Sequence, residues 1–142
     1  MNYIVERNGK GKEYYDNGEL KFEGEYLNRE RNGKGKEYYY NSKLKFEGEY
    51  LNGEKNGKGK EYYYNGKLKF EGEYLNGKRW NGKGKEYNEY SELEFEGEYL
   101  NGEKNGKGQE YNGDEFWCEI VEYLNGKKKV IEKNNIFSEI FD

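Results

Sequence analysis

The sequence has no histidine, no proline and one cysteine. Without histidine the usual zinc ligand sets cannot be assembled, and acid–base work would fall to carboxylates, lysine or tyrosine. The single thiol, Cys118, can form neither an intrachain disulfide nor a thiolate metal cluster. It lies among apolar residues with no histidine to activate it and reads as a small buried hydrophobe. No cofactor or metal site is expected. A lone cysteine suits a reducing, cytoplasmic setting. Met1–Lys10 is polar and does not read as a signal peptide. No apolar run approaches the roughly 18 residues of a membrane-spanning helix. Aliphatic side chains are scarce: only 32% of residues are hydrophobic and 38% are charged. Those figures alone would suit a disordered chain.

Aromatic content argues the other way. There are 17 Tyr, 7 Phe and 2 Trp, and rings bury too much area to stay solvated. The core must be built from Tyr and Phe with Leu assisting. Twenty-one glycines without a collagen period mark turns and close backbone approach. Lys+Arg 25 against Asp+Glu 29 gives a net charge of −4. The surface is therefore mixed and exerts no chain-wide pull toward nucleic acid, which is not an expected partner; a local basic stripe remains compatible with it.

The dominant feature is an internal repeat. Asn-Gly-Lys-Gly begins at Asn8, Asn32, Asn56, Asn81 and Asn105, a period of 24 residues with one step of 25. Phe-Glu-Gly-Glu-Tyr-Leu begins at Phe22, Phe46, Phe70 and Phe95 with the same period. The extra residue falls within Gly77-Lys78-Arg79-Trp80 and points to a loop there. The units serve as an internal alignment. Both glycines of Gly-Lys-Gly, the following Glu-Tyr and the Phe, Gly and Tyr of Phe-x-Gly-x-Tyr never vary, whereas turn positions drift, as at Arg29 and Ser42.

Each unit parses as two strands and two turns. One strand, about Lys21–Leu27, alternates so that Phe22, Gly24 and Tyr26 share a face and Glu23, Glu25 and Leu27 the other. A turn over Asn28–Asn32 follows, then a strand over about Gly33–Tyr40. Asn17-Gly18 and Asn65-Gly66 are hairpin signals because both residues tolerate positive φ. The glycines leave room for rings from neighbouring strands to lie flat. Lys34 and Lys36 are placed to pair across strands with Glu23 and Glu25. One parity question stays open: alternation from Gly33 and Gly35 leads to Tyr39, not to the unvarying Tyr38, so either a bulge intervenes or Tyr38 faces the other way. Gly77–Gly84 imitates the start of a phosphate-binding loop, but Gly84 stands where a hydroxyl is needed and no helix follows.

The unit from Phe46 to Gly66 resembles the MORN repeat (membrane occupation and recognition nexus), and the resemblance covers about residues 8–111. Lys12–Leu20 is also similar to a bacterial variant found in antitoxin-like proteins. The resemblance implies an all-β fold: an elongated, twisted, single-layer antiparallel sheet of tandem β-hairpin repeats. The whole chain, 1–142, is then one domain, with regular repeats over about 8–111 and an atypical cap over about 112–142. Tyr3-Ile4-Val5 reads as a half-repeat capping one end. Phe116–Tyr123 reads as a more apolar strand. Asn135–Phe141 can close the array as a short helix with Ile136, Phe137, Ile140 and Phe141 on one face, either as a plug or as a docking segment.

Two surfaces are candidates for function. A single-layer sheet cannot bury both faces, so Phe22, Phe46, Phe70 and Phe95 with Tyr26, Tyr50, Tyr74 and Tyr99 are the candidate partner-binding surface, in part packed on one another. Lys34, Lys36, Lys58, Lys60, Lys83 and Lys85 recur along the sheet and are the candidate lipid-binding ladder, unless neighbouring glutamates neutralise them; the resemblance adds that some family members are said to bind phosphoinositides. The leading expectation is a non-catalytic scaffold for protein–protein interaction, binding a partner segment or a second copy of itself. A peripheral membrane adaptor and an antitoxin- or immunity-type binder are the alternatives. Catalysis has little support, because the Glu-x-Glu pairs recur beside lysines as a solvated sheet face does.

Overall fold

A computed structural model describes residues 3–5, 9–111 and 117–135. The described residues form a single open antiparallel sheet in which chain neighbours pair in order. Its strands are β1 (Tyr3–Val5), β2 (Lys10–Tyr14), β3 (Leu20–Leu27), β4 (Glu30–Tyr38), β5 (Leu44–Leu51), β6 (Glu54–Tyr62), β7 (Leu68–Leu75), β8 (Lys78–Arg79), β9 (Gly82–Tyr87), β10 (Leu93–Leu100), β11 (Glu103–Tyr111), β12 (Trp117–Leu124) and β13 (Lys127–Asn135). The all-β array expected from the repeat is present. The helical expectation for Asn135–Phe141 falls outside the described residues.

Both kinds of turn follow from local chemistry. β3 and β4 join through Asn28 and Arg29, at φ 52° and 67°, and β5 and β6 through Asn52 and Gly53, at 50° and 86°. Two central residues with positive φ make the tight turn whose twist matches the strands it joins. This turn is shorter than the Asn28–Asn32 expected from sequence. Asn32-Gly33 lies inside β4, where Gly24 pairs with Gly35 and Tyr26 with Arg31, leaving extra residues on the β4 side. That bulge needs Gly33 at φ 99°. On the opposite edge the chain turns through Tyr15–Glu19 and Tyr39–Lys43, closed by Tyr15 N–H to Glu19 O and Tyr39 N–H to Lys43 O.

The extra residue of the fourth unit is not in its hairpin turn, which is Asn76-Gly77 as elsewhere. It is Trp80, which parts β8 from β9 and donates its backbone N–H to Glu73 O. The bulge, already longer than its partner, absorbs the residue, and the turn keeps its geometry.

The core is a row of rings on one face. Phe22 and Phe46 are 0% exposed, and Tyr50 and Tyr74 are 4% and 3% exposed. Each phenylalanine meets two tyrosines edge to face: Phe22 lies 5.7 Å from Tyr26 and 5.3 Å from Tyr50, and Phe46 lies 5.6 Å from Tyr50 and 5.2 Å from Tyr74. Burial of each phenylalanine contributes about 2–3 kcal/mol, and each ring pair about 0.5–1.5 kcal/mol beyond that. The rings lie over paired glycines: a Cβ on Gly35 would sit 2.5 Å from Phe22. The row ends in β12, where fully buried Val121 stands opposite Gly108 and Glu119 stands opposite Glu110, the place where Phe95 pairs in the preceding unit. With no further ring to lay flat, a branched side chain fills the space a glycine leaves open elsewhere.

Candidate functional site

The aromatic candidates are inside the protein. Phe70 and Phe95 are buried with Phe22 and Phe46, and Tyr26, Tyr74 and Tyr99 with Tyr50. The open groove of rings expected from sequence is therefore not what the sheet displays. A roof of long cations covers the row. Arg31 Cζ lies 4.0 Å above the centre of Phe22, Lys55 Nζ 4.3 Å above Phe46, Arg79 Cζ 4.1 Å above Phe70 and Lys104 Nζ 4.3 Å above Phe95. These are cation–π contacts made from the start of each second strand, a stretch that read as a turn.

Carboxylates fix the roof. Arg31 pairs with Glu13 at 2.7 Å and Glu37 at 2.6 Å, and Arg79 with Glu61 at 2.5 Å and Glu86 at 2.8 Å. Tyr26 donates its hydroxyl to Glu13 at 2.6 Å. Burial pushes the Glu13 carboxyl up, but Arg31 and Tyr26 outweigh it and hold the group below its ordinary value.

The opposite face carries the lysine ladder. Lys34, Lys36, Lys58, Lys60, Lys83 and Lys85 all line one open trough of about 1180 Å³ that crosses β2 to β10. Its floor is the backbone of the paired glycines, whose side-chain direction points to the ring face. The register sets Lys36 opposite Glu23, as expected, while Glu25 faces the bulge; on the other side Lys34 stands opposite Glu49, Lys36 opposite Glu47 and Lys60 opposite Glu71. The expected ion pairs are not closed, however: among the described residues none of the six lysines is within ion-pair distance of a carboxylate. Several of the acids are engaged elsewhere. Glu25 accepts the backbone N–H of Lys34 at 2.5 Å and Glu49 that of Lys58 at 2.7 Å, which secures the bulge. Glu23 accepts the hydroxyl of Tyr38 at 2.6 Å and Glu47 that of Tyr62 at 2.8 Å.

Those last bonds answer the parity question. Tyr38 lies on the trough side with Glu23, and alternation holds along β4. The irregularity sits on the neighbouring strand, where Glu37 pairs with Phe46 and Tyr38 with Leu44, so that Lys45 is the bulged residue. Burial first, and the bond to Glu47 second, push the Tyr62 hydroxyl up to about 12.

A period of 24 residues, a ring–glycine–ring strand and a bulged glycine-rich strand define the unit, and the MORN repeat model matches residues 6–19, 22–43, 46–67, 70–88 and 95–115. The chain belongs to the MORN repeat family. A comparison with curated protein sequences finds no match. MORN repeats form a non-catalytic family, and the invariant residues of this array are explained by its architecture: Phe and Tyr form the row, the glycines lie beneath it, and Glu and Tyr tie successive MORN units. Among the described residues no group of His, Cys, Asp or Glu is arranged to hold a metal ion, and no helix is long and apolar enough to cross a membrane.

Proposed function

We propose that this MORN array is a non-catalytic scaffold that holds a segment of a partner protein in the lysine–glutamate trough. The observation that carries the reading is the combination of a smooth glycine floor with six lysines, Lys34, Lys36, Lys58, Lys60, Lys83 and Lys85, that close no ion pair among the described residues. Lysine and glutamate recur there with the sheet, so no unit is singled out as a reaction centre. Eight lysines and seven glutamates line the trough. That near balance suits a segment bearing both charges more than a uniformly anionic surface. The buried aromatic row supports the site from behind, through the glycines it packs against.

The membrane reading keeps one observation in its favour: among the described residues the six lysines close no ion pair. Flotation with neutral and anionic liposomes separates the two. Binding that needs anionic lipid and survives physiological salt moves the membrane to first place. For the protein reading, random peptides displayed on phage are selected on the immobilised chain. Enriched peptides should bind the wild type in solution and weaken at least about tenfold against the Lys36→Glu, Lys60→Glu, Lys85→Glu triple variant at unchanged melting temperature. Equal binding to both proteins removes the trough from the proposal. Cell fractionation tests the cytoplasmic setting.

A further inference from the structure

The turns along one long edge of the sheet carry a surface that neither the core nor the trough uses. Tyr40, Tyr64 and Tyr90 are 64%, 59% and 67% exposed. A well-packed fold has no need of three large rings in water, and here they stand on successive turns. Tyr40 stacks on Tyr15 of the preceding unit, with ring centres 4.0 Å apart, and Tyr64 packs edge-on against Tyr39 at 5.2 Å. The turns are tied to one another. Tyr39 donates its hydroxyl to Tyr62 O and Tyr63 donates to Tyr87 O, both at 2.7 Å. Asn41 and Asn65 donate side-chain N–H groups to Tyr64 O and Glu89 O, both at 3.1 Å. The rim is therefore pre-organised.

Charge on the two central turns of this rim is of one sign, although Glu19 of the preceding turn accepts the Ser42 hydroxyl at 3.0 Å. The turns Tyr39–Lys45 and Tyr63–Lys69 contain Lys43, Lys45, Lys67 and Lys69 and no acid. Lys45 lies 5.6 Å from the Tyr39 ring centre, Lys69 5.5 Å from Tyr63 and Lys67 6.0 Å from Tyr90. The flanking turns carry Asp16 and Glu19 on one side and Glu89, Glu92 and Glu94 on the other. Acids thus bound a short basic–aromatic patch within a chain of net charge −4.

We infer that this rim binds a short tract of single-stranded nucleic acid, with bases stacked on Tyr40 and Tyr64 and phosphates met by Lys43, Lys45, Lys67 and Lys69. Every base offers a face to a ring, and Lys45 and Lys69, beside the adjacent Tyr39 and Tyr63, are placed to meet the backbone that follows. Successive turns lie about 10 Å apart, two strand spacings, so the patch spans on the order of four nucleotides. The duplex is a poorer ligand because its bases cannot reach the rings.

Fluorescence anisotropy with a labelled single-stranded oligothymidylate tests this, with a duplex of equal length and heparin as comparison ligands. The oligothymidylate should bind at physiological salt and more tightly than either comparison. The Tyr40→Ala, Tyr64→Ala double variant should weaken it at least about tenfold, and the Lys43→Glu, Lys67→Glu variant should weaken it and flatten its salt dependence. Both variants lie in exposed turns, and circular dichroism checks that the sheet persists. The trough triple variant should bind the oligonucleotide as the wild type does. Absence of binding at physiological salt, equal binding of heparin, indifference to the tyrosine variant or loss in the trough variant would each overturn the inference. So would binding of anionic vesicles or acidic peptides through these residues without binding of the oligonucleotide.

Discussion

The guanidinium of Arg31 lies 4.0 Å above the ring of Phe22 and holds two carboxylates, Glu13 and Glu37, from different repeats. One side chain thereby covers the core and joins two units. Its removal exposes a ring and leaves two half-buried acids side by side. Arg31→Ala should cost roughly 2–4 kcal/mol in urea unfolding. Lys55→Ala, which loses a cation–π contact but no ion pair seen among the described residues, should cost about 1 kcal/mol. Equal losses in the two variants would mean that the carboxylates contribute nothing.

Glycine at the paired positions is a packing requirement. A Cβ on Gly59 would stand 2.6 Å from Phe46 and 3.0 Å from Tyr74. Gly59→Ala should destabilise by about 2–4 kcal/mol. Gly53 has open space but φ 86°, so Gly53→Ala should cost roughly 1–2 kcal/mol; Arg29 already occupies the equivalent place at φ 67°. Melting curves of the two variants give the comparison, and a milder effect at Gly59 would contradict the ring-over-glycine account.

The core tyrosines should divide by their hydroxyls. Tyr26 donates to Glu13 at 2.6 Å. The hydroxyls of Tyr50, Tyr74 and Tyr99 are buried and find no hydrogen-bond partner among the described residues. Tyr26→Phe should cost about 1 kcal/mol, whereas Tyr74→Phe should be neutral or stabilising. Denaturant midpoints measured side by side decide it.

Alkali should unfold the sheet. Burial, then hydrogen bonds to Glu47 and Glu110, push Tyr62 and Tyr123 up to about 12 from an ordinary value of 10.0. The folded state binds these protons more tightly than the unfolded chain. Their stabilisation is complete below pH 10 and is lost as pH rises through 12. Tyrosinate absorbance and circular dichroism should therefore change together in that window; ionisation with the sheet intact would refute the linkage.

Acid acts in the opposite sense. Glu13 and Glu110 lie below their ordinary 4.5 despite burial, because Arg31 and Tyr26, and Lys128 and Tyr123, favour the charged form. Their contribution is full above 4.5 and is lost as pH falls below it. Arg31→Ala should move the acid-unfolding midpoint upward, and an unchanged midpoint would show that Glu13 is not held by Arg31.

Much of this architecture is legible in the sequence. The period, the two strands per unit and the shared face of Phe22, Gly24 and Tyr26 all stand in the structure, because alternation and invariant glycines report backbone geometry directly. The roof over the rings does not show. Arg31, Lys55, Arg79 and Lys104 vary between two residue types and sit in a stretch that reads as part of the turn, Asn28–Asn32 in the first hairpin. The turn itself is only Asn28-Arg29 and the strand starts at Glu30, and the misplacement by a few residues hides the cations. The lysine ladder is legible as a line, but its freedom from ion pairs is not, since the engagement of Glu25 with backbone and Glu23 with Tyr38 depends on bulge geometry. Val121 in place of a glycine could have been noticed as the point where the ring row has to end.

The cations are not alike from unit to unit. Arg31 clasps Glu13 and Glu37, and Arg79 clasps Glu61 and Glu86, whereas Lys55 between them closes no ion pair among the described residues. Lys104 on Glu86 and Lys128 on Glu110 and Glu119 continue the series, so the sheet is riveted on either side of an unriveted seam. Under load or on wrapping a curved object, the rod should flex at β5–β6, while each half moves as a plank.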